Sequence, residues 1–167
     1  AWLDRLVPFT RYQVRVGGHA LHVMEQGSGL PVLLLHGNPS WGFLWRKVAA
    51  ALVGQPLRLV MPDLLGLGLS DKPEDPSVHT LEHHGRLIGE LVELLDLKRL
   101  ILVVQDWGGA IGGCALAPRA ERLRGLVALN TVFGPPRVGF RPTAFHRFAR
   151  LPLVSDFAFR TAGFMPR

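Results

Sequence analysis

The chain has 167 residues, 48% of them hydrophobic and 19% charged, with a formal net charge of +6. It is long enough to bury one core and too apolar for a disordered chain. The charge excess excludes little, because residues 1–136 hold 13 basic and 12 acidic groups while residues 137–167 hold six arginines against Asp156. A basic tail of this kind does not make a nucleic-acid interface. The single cysteine, Cys114, rules out an internal disulfide framework. No run is apolar enough to span a bilayer and no signal-peptide pattern opens the chain, so a cytoplasmic protein with no membrane and no nucleic-acid partner is expected.

In chain order, two alternating segments near residues 12–16 and 20–25, joined across Gly17-Gly18, predict an antiparallel hairpin. Short runs predict strands near 31–36, 57–62, 99–105 and 124–130, the apolar ones over 31–35 and 100–104 being of the buried kind. Between them, helices are expected near 41–53, 80–96 and 107–117. The second of these carries an apolar stripe of Leu81, Leu87, Ile88, Leu91, Val92, Leu94 and Leu95, with Glu82, Arg86, Glu90 and Glu93 outside it. Strands alternating with helices from residue 31 onward predict a mostly parallel α/β sheet with right-handed crossovers.

The segment Gln105-Asp106-Trp107-Gly108-Gly109 follows the strand Leu100-Ile101-Leu102-Val103-Val104 directly. A carboxylate on a tight strand-to-helix turn sits at the carboxyl end of a parallel strand, where open α/β sheets bind ligands and where a nucleophile is displayed. The competing role for Asp106 is to cap the following helix through its side chain. A second motif, His36-Gly37-Asn38-Pro39, closes another buried strand. In the arrangement that places a nucleophile on such a turn, this loop supplies one backbone N–H of an oxyanion hole. The residue after the nucleophile supplies the other, here Asn38 and Trp107. Their side chains are an amide donor and an indole donor, and two neutral donors suit a leaving halide. His36 is favoured as a residue that fixes the loop by hydrogen bonds, not as a base.

With Trp45-Arg46 and the stretch Asp63-Leu64-Leu65-Gly66-Leu67-Gly68-Leu69-Ser70-Asp71-Lys72-Pro73, these motifs resemble the haloalkane dehalogenases. The resemblance runs from about Tyr12 to Pro136. It implies an α/β-hydrolase fold, a mostly parallel sheet flanked by helices, truncated at the start of a helical cap. Residues 1–136 would be the N-terminal part of the core domain, and residues 137–167 the beginning of the cap. It implies that Asp106 displaces halide by in-line attack to give an alkyl-enzyme ester, which a histidine-activated water then hydrolyses. Asn38 and Trp107 would hold the halide. The partners implied are a small apolar halogenated substrate, water and the halide ion, with no cofactor and no metal.

The family's catalytic histidine lies near the end of a chain about twice this length, so the general base and the triad acid are expected beyond Arg167. Asn130 stands where one branch of the family carries its glutamate. Phe133, Phe140 and Phe145 are candidates to line the pocket under the cap. Epoxide hydrolase is the nearest alternative, sharing the Asp-Trp-Gly-Gly turn. That family typically has an apolar residue in place of Asn38 and two cap tyrosines, whereas Tyr12 is the one tyrosine here. A third reading is a non-catalytic fragment, a pseudoenzyme or half of a nicked hydrolase, with the C-terminal half as a separate partner chain.

Overall fold

The computed structural model describes residues 5–6 and 8–132. The cap expected over 137–167 and Phe133, Phe140 and Phe145 lie outside the described residues. The chain divides between Gly134 and Pro135 into two units, and the sheet and helices belong to the first.

Six strands form one sheet: β1 (Thr10–Val16), β2 (His19–Gln26), β3 (Leu30–Leu35), β4 (Leu57–Pro62), β5 (Leu100–Asp106) and β6 (Leu123–Thr131), in the order β1-β2-β4-β3-β5-β6. β1 pairs antiparallel with β2, and β2 antiparallel with β4. The pairs β3–β4, β3–β5 and β5–β6 are parallel. The hairpin closes through Gly17 and Gly18, both at positive φ (53° and 83°), the backbone that a two-residue turn between twisted strands requires.

Among the elements that lie wholly within the described residues, three α-helices flank the sheet: α1 (Arg46–Ala51), α2 (Leu81–Leu94) and α3 (Trp107–Leu116). The helix expected over 41–53 is instead a 3-10 turn, Gly42–Trp45, followed by the short α1. The backbone N–H of Arg46 and its guanidinium both bond the Phe43 carbonyl, and the Gly42 N–H is taken by Asp63 (2.8 Å), which together tighten the first turn. α2 starts where Thr80 accepts from the His83 N–H at 3.1 Å, with Glu82 in its first turn. Its buried face is Leu87, Ile88, Leu91 and Val92, while Leu94 of the expected stripe points to solvent at 61% exposure. None of the described helices is long and apolar enough to cross a membrane.

The core lies on both faces of the sheet. One layer packs Leu33, Leu35, Leu102 and Val104 against α2 and α3; the other packs Val32, Leu34, Leu59 and Met61 against Trp45 and Ala49. β3 sits at the centre. The chain leaves it toward β4 on one side and later enters β5 on the other. That reversal opens a crevice at the carboxyl ends of β3 and β5.

Candidate active site

Both motifs end at this crevice. Asp106 ends β5 with φ 53° and ψ −129°, a conformation that non-glycine residues rarely hold and that throws the side chain clear of the helix behind it. Close packing enforces the turn. A Cβ on Gly108 would lie 2.5 Å from the Leu35 carbonyl oxygen and 2.8 Å from that of His36, and one on Gly109 would strike the Thr131 side chain. From the other side, the Thr131 hydroxyl donates to the Asp106 carbonyl oxygen.

The Asp106 side chain makes no cap hydrogen bond to α3, so the acid is not spent on capping. Its Oδ1 accepts the backbone N–H of Asn38 at 3.0 Å, across 68 residues of sequence. Gly37 is what lets the two loops come this close: a Cβ there would overlap the Asp106 side chain, lying 2.6 Å from Cγ. The Asn38–Pro39 peptide is cis.

His36 is fully buried at the root of the loop. Its Nε2 accepts the Leu64 N–H at 2.9 Å, which leaves Nδ1 as the protonated nitrogen, and that group donates to the Gly37 carbonyl at 2.9 Å. Burial pushes the imidazole below its ordinary value against the opposing pull of the Gly37 bond and of Asp63 and Asp106. With both nitrogens committed, His36 ties the β3 and β4 loops together, the structural role expected of it.

Asp63, which follows β4, is 0% exposed. Its Oδ1 accepts the Gly42 N–H at 2.8 Å, and its Oδ2 accepts the Leu69 N–H at 2.8 Å and His22 Nδ1 at 3.0 Å. Ser70 is buried beside it, donating from Oγ to the Asp63 carbonyl (2.7 Å) and accepting the His22 N–H (2.9 Å). This network shapes the loop 63–71 that forms one wall of the crevice.

A cavity of about 410 Å³ opens there. Asn38 and Trp107 both line it, Trp107 at 48% exposure. Leu64, Leu65, Leu67, Leu81 and Ile111 supply apolar wall, and His79 and His84 face it from the start of α2. Asp106 is joined to the wall through Asn38. Of the residues singled out in sequence, Asp106, Asn38 and Trp107 are thus brought together. Gly37, Thr131, His79 and His84 were not singled out. Gly37 and Thr131 carried a signal in their places at the ends of strands flanking the turn. The two histidines carried none, because nothing local says which way the start of α2 faces.

The model of a family described as alpha/beta hydrolase fold matches residues 31–165. Haloalkane dehalogenase 2 of Mycobacterium tuberculosis (strain ATCC 25618 / H37Rv) is 38% identical over 163 residues, 98% of this chain and 56% of that protein. Cis-3-alkyl-4-alkyloxetan-2-one decarboxylase of Shewanella oneidensis is 43% identical over 131 residues, 77% of this chain and 41% of that protein. Among solved structures, haloalkane dehalogenase DatA from Agrobacterium tumefaciens C58 superposes with a TM-score of 0.80 at 32% identity, covering 92% of this chain and 53% of its own. Epoxide hydrolase VrEH1 from Vigna radiata does so with a TM-score of 0.74 at 34% identity, covering 89% and 47%. The chain spans about half the length of the curated relatives it matches. With its mostly parallel sheet, its acid on a strained strand-to-helix turn and the similarity to dehalogenases anticipated from its motifs, this chain belongs to the alpha/beta hydrolase fold family.

Proposed function

We propose that this chain carries the nucleophile half of a hydrolase that cleaves carbon–halogen bonds. The observation that carries the reading is the Asp106 carboxylate on its strained turn, with one oxygen held by the Asn38 N–H beside a largely apolar cavity lined by Asn38 and Trp107. The held oxygen orients the other for attack. Oδ2 forms a bond to the halogen-bearing carbon, the carbon–halogen bond breaks, and the halide leaves with the bonding pair. The Asn38 amide and the Trp107 indole N–H receive it. Leucine and isoleucine walls limit solvation of the attacking anion.

Hydrolysis of the resulting ester puts negative charge on Oδ1, which the Asn38 N–H already contacts and which the Trp107 backbone N–H would share. Water adds to Cγ, its proton passes to a base, and the alcohol leaves with Asp106 restored. The base is not His36, whose nitrogens are both engaged. It belongs to the stretch of the relatives that this chain does not span. Residues 137–167 are proposed as the start of a cap domain.

The test is the intact mass of the protein before and after incubation with excess 1-bromobutane, on the wild type and on Asp106→Asn. One alkyl adduct that disappears in the variant supports the first chemical step, and its persistence without free alcohol supports a base located elsewhere. No adduct and no bromide release would sink the reading.

A second reading is favoured by the 43% identity to the oxetanone decarboxylase. In that case Asp106 would open a four-membered lactone by displacing the ring oxygen at carbon, leaving a free carboxylate two carbons along. Loss of CO2 with expulsion of the Asp106 carboxylate would then give an alkene. No water is consumed and no base is required. Alkene and CO2 from a cis-3,4-dialkyl oxetan-2-one, abolished in Asp106→Asn, would select it over the dehalogenase.

A further inference from the structure

The cavity beside Asp106 is not uniformly apolar. Two imidazoles, His79 and His84, line it together with the leucines, their ring centroids 5.8 Å apart and their planes inclined by 33°. His79 has a partner outside the cavity, since its Nε2 lies 3.4 Å from the Pro73 carbonyl. It is also braced by Gly66 at φ 83°, where a Cβ would come within 2.8 Å of the His79 ring. His84 is different. Its ring is half-buried against His79, and no hydrogen bond to either of its nitrogens occurs among the described residues.

Burial and the neighbouring imidazoles of His79, His83 and His36 push His84 down to about 4. At neutral pH it is therefore uncharged, with one N–H donor and one lone pair free. Its nitrogens are not sealed from solvent, so in the empty cavity water can meet them, and a ligand oxygen that displaces this water keeps the pairing while an apolar group does not. Halide ions already have their donors in Asn38 and Trp107. What His84 adds is a place for a neutral oxygen.

We infer that His84 recognises an oxygen atom of the substrate, so that this site takes oxygen-bearing molecules, with an ether, hydroxyl or ring oxygen, in preference to bare alkyl halides. The inference rests on the reading of Asp106 as the nucleophile of this cavity and narrows its substrate class. A site built to pair with a substrate oxygen discriminates against the analogue that lacks it, because the protein group is then left unpaired. His84 is a recognition residue here, and the attack itself remains with Asp106.

The pair 1-bromo-3-methoxypropane and 1-bromopentane differs by one oxygen in place of one methylene. The rate of Asp106 alkylation by each, followed by intact mass, gives a preference ratio that cancels differences in protein concentration. Comparing the wild type with His84→Leu cancels the intrinsic reactivity of the two bromides. The ratio is expected to favour the ether about tenfold more in the wild type than in the variant, and equal ratios overturn the inference.

A second measurement does not depend on alkylation. Long-range proton–nitrogen correlation spectra of the histidine rings, on the wild type and on Asp106→Asn, are titrated with unreactive 1,3-dimethoxypropane and with pentane. A saturable shift of the His84 ring nitrogens with the ether alone is expected, and its absence overturns the inference. If the His84 ring responds while neither bromide alkylates Asp106, the oxygen site stands and the carbon–halogen reading falls.

Discussion

Two aspartates stand at the carboxyl ends of parallel strands, Asp63 just past β4 and Asp106 at the end of β5, and they are used in opposite ways. Asp63 is fully buried and accepts from Gly42, Leu69 and His22. Asp106 is half-buried, its carboxylate accepts from the Asn38 N–H alone among the described residues, and it leaves its helix uncapped. A buried carboxylate with both oxygens engaged inside the protein holds loops in place and cannot approach a substrate carbon. One with an oxygen left open beside a cavity can. Position at a strand end therefore does not distinguish a structural acid from a reactive one; the number of donors around it does.

The comparison breaks most visibly if Asp106→Asn is silent. That substitution is expected to abolish the bromoalkane adduct seen by intact mass while shifting Tm by no more than about 2 °C, because only one hydrogen bond is altered. Asp63→Asn is the converse. It places an NH2 group against buried donors, so urea unfolding should show a loss of about 3 kcal/mol. If both substitutions cost the same stability, the two acids are not divided as described.

Gly37→Ala sharpens the geometric side of the contrast. A methyl group there displaces the Asp106 carboxylate, and the adduct should form about a hundredfold more slowly, the scale of a misplacement near 1 Å. Circular dichroism should still report a folded sheet. An unchanged rate would mean that the close approach of the two loops is not needed.

Acid titration probes the imidazoles between these loops. His36 and His84 are both depressed in the folded chain by burial, whereas the unfolded chain binds their protons near the ordinary value of about 6.5. Stability should therefore be level above that pH and fall as pH drops from about 6.5 toward 4, since the unfolded state then holds more protons. Tm measured against pH should show this slope, and His84→Gln should flatten part of it, leaving the shares of His36 and of His83, which burial also lowers. A slope identical in the variant would remove His84 from the account.

The smallest effect is expected at the far edge of the sheet. There the Tyr12 hydroxyl donates to Glu25, which also accepts from Arg58 Nε at 2.8 Å. Burial and the Glu25 bond raise Tyr12 above its ordinary value. Burial works against Glu25 ionisation, but the Arg58 and Tyr12 bonds outweigh it and hold its carboxyl low. The group is half-exposed and screened, so Tyr12→Phe should cost no more than about 1 kcal/mol in urea unfolding.

Much of the fold was legible because its signals are local. The uninterrupted apolar runs of β3 and β5 matched strands buried in the sheet, Gly17-Gly18 matched the hairpin turn, and Asp106-Trp107-Gly108-Gly109 matched the turn and the close-packed start of α3. Other readings needed correcting. The helix over 41–53 shortened because Asp63, more than ten residues away, takes the Gly42 N–H. Leu94, the last residue of α2, fell outside the buried face at 61% exposure.

By itself the sequence determined the alternation of strands and helices, the acid on the β5 turn and the glycines at the close approaches, since each is a property of a few consecutive residues. Only the tertiary structure decided which aspartate is buried with both oxygens engaged and which is open, which nitrogen of His36 carries its proton, and that His79 and His84 face the same cavity as Asn38 and Trp107. Those outcomes depend on hydrogen-bond partners 21, 28, 41 and 68 residues apart in the chain. A pairing over such distances is set by how the sheet brings loops together, and no local pattern encodes it.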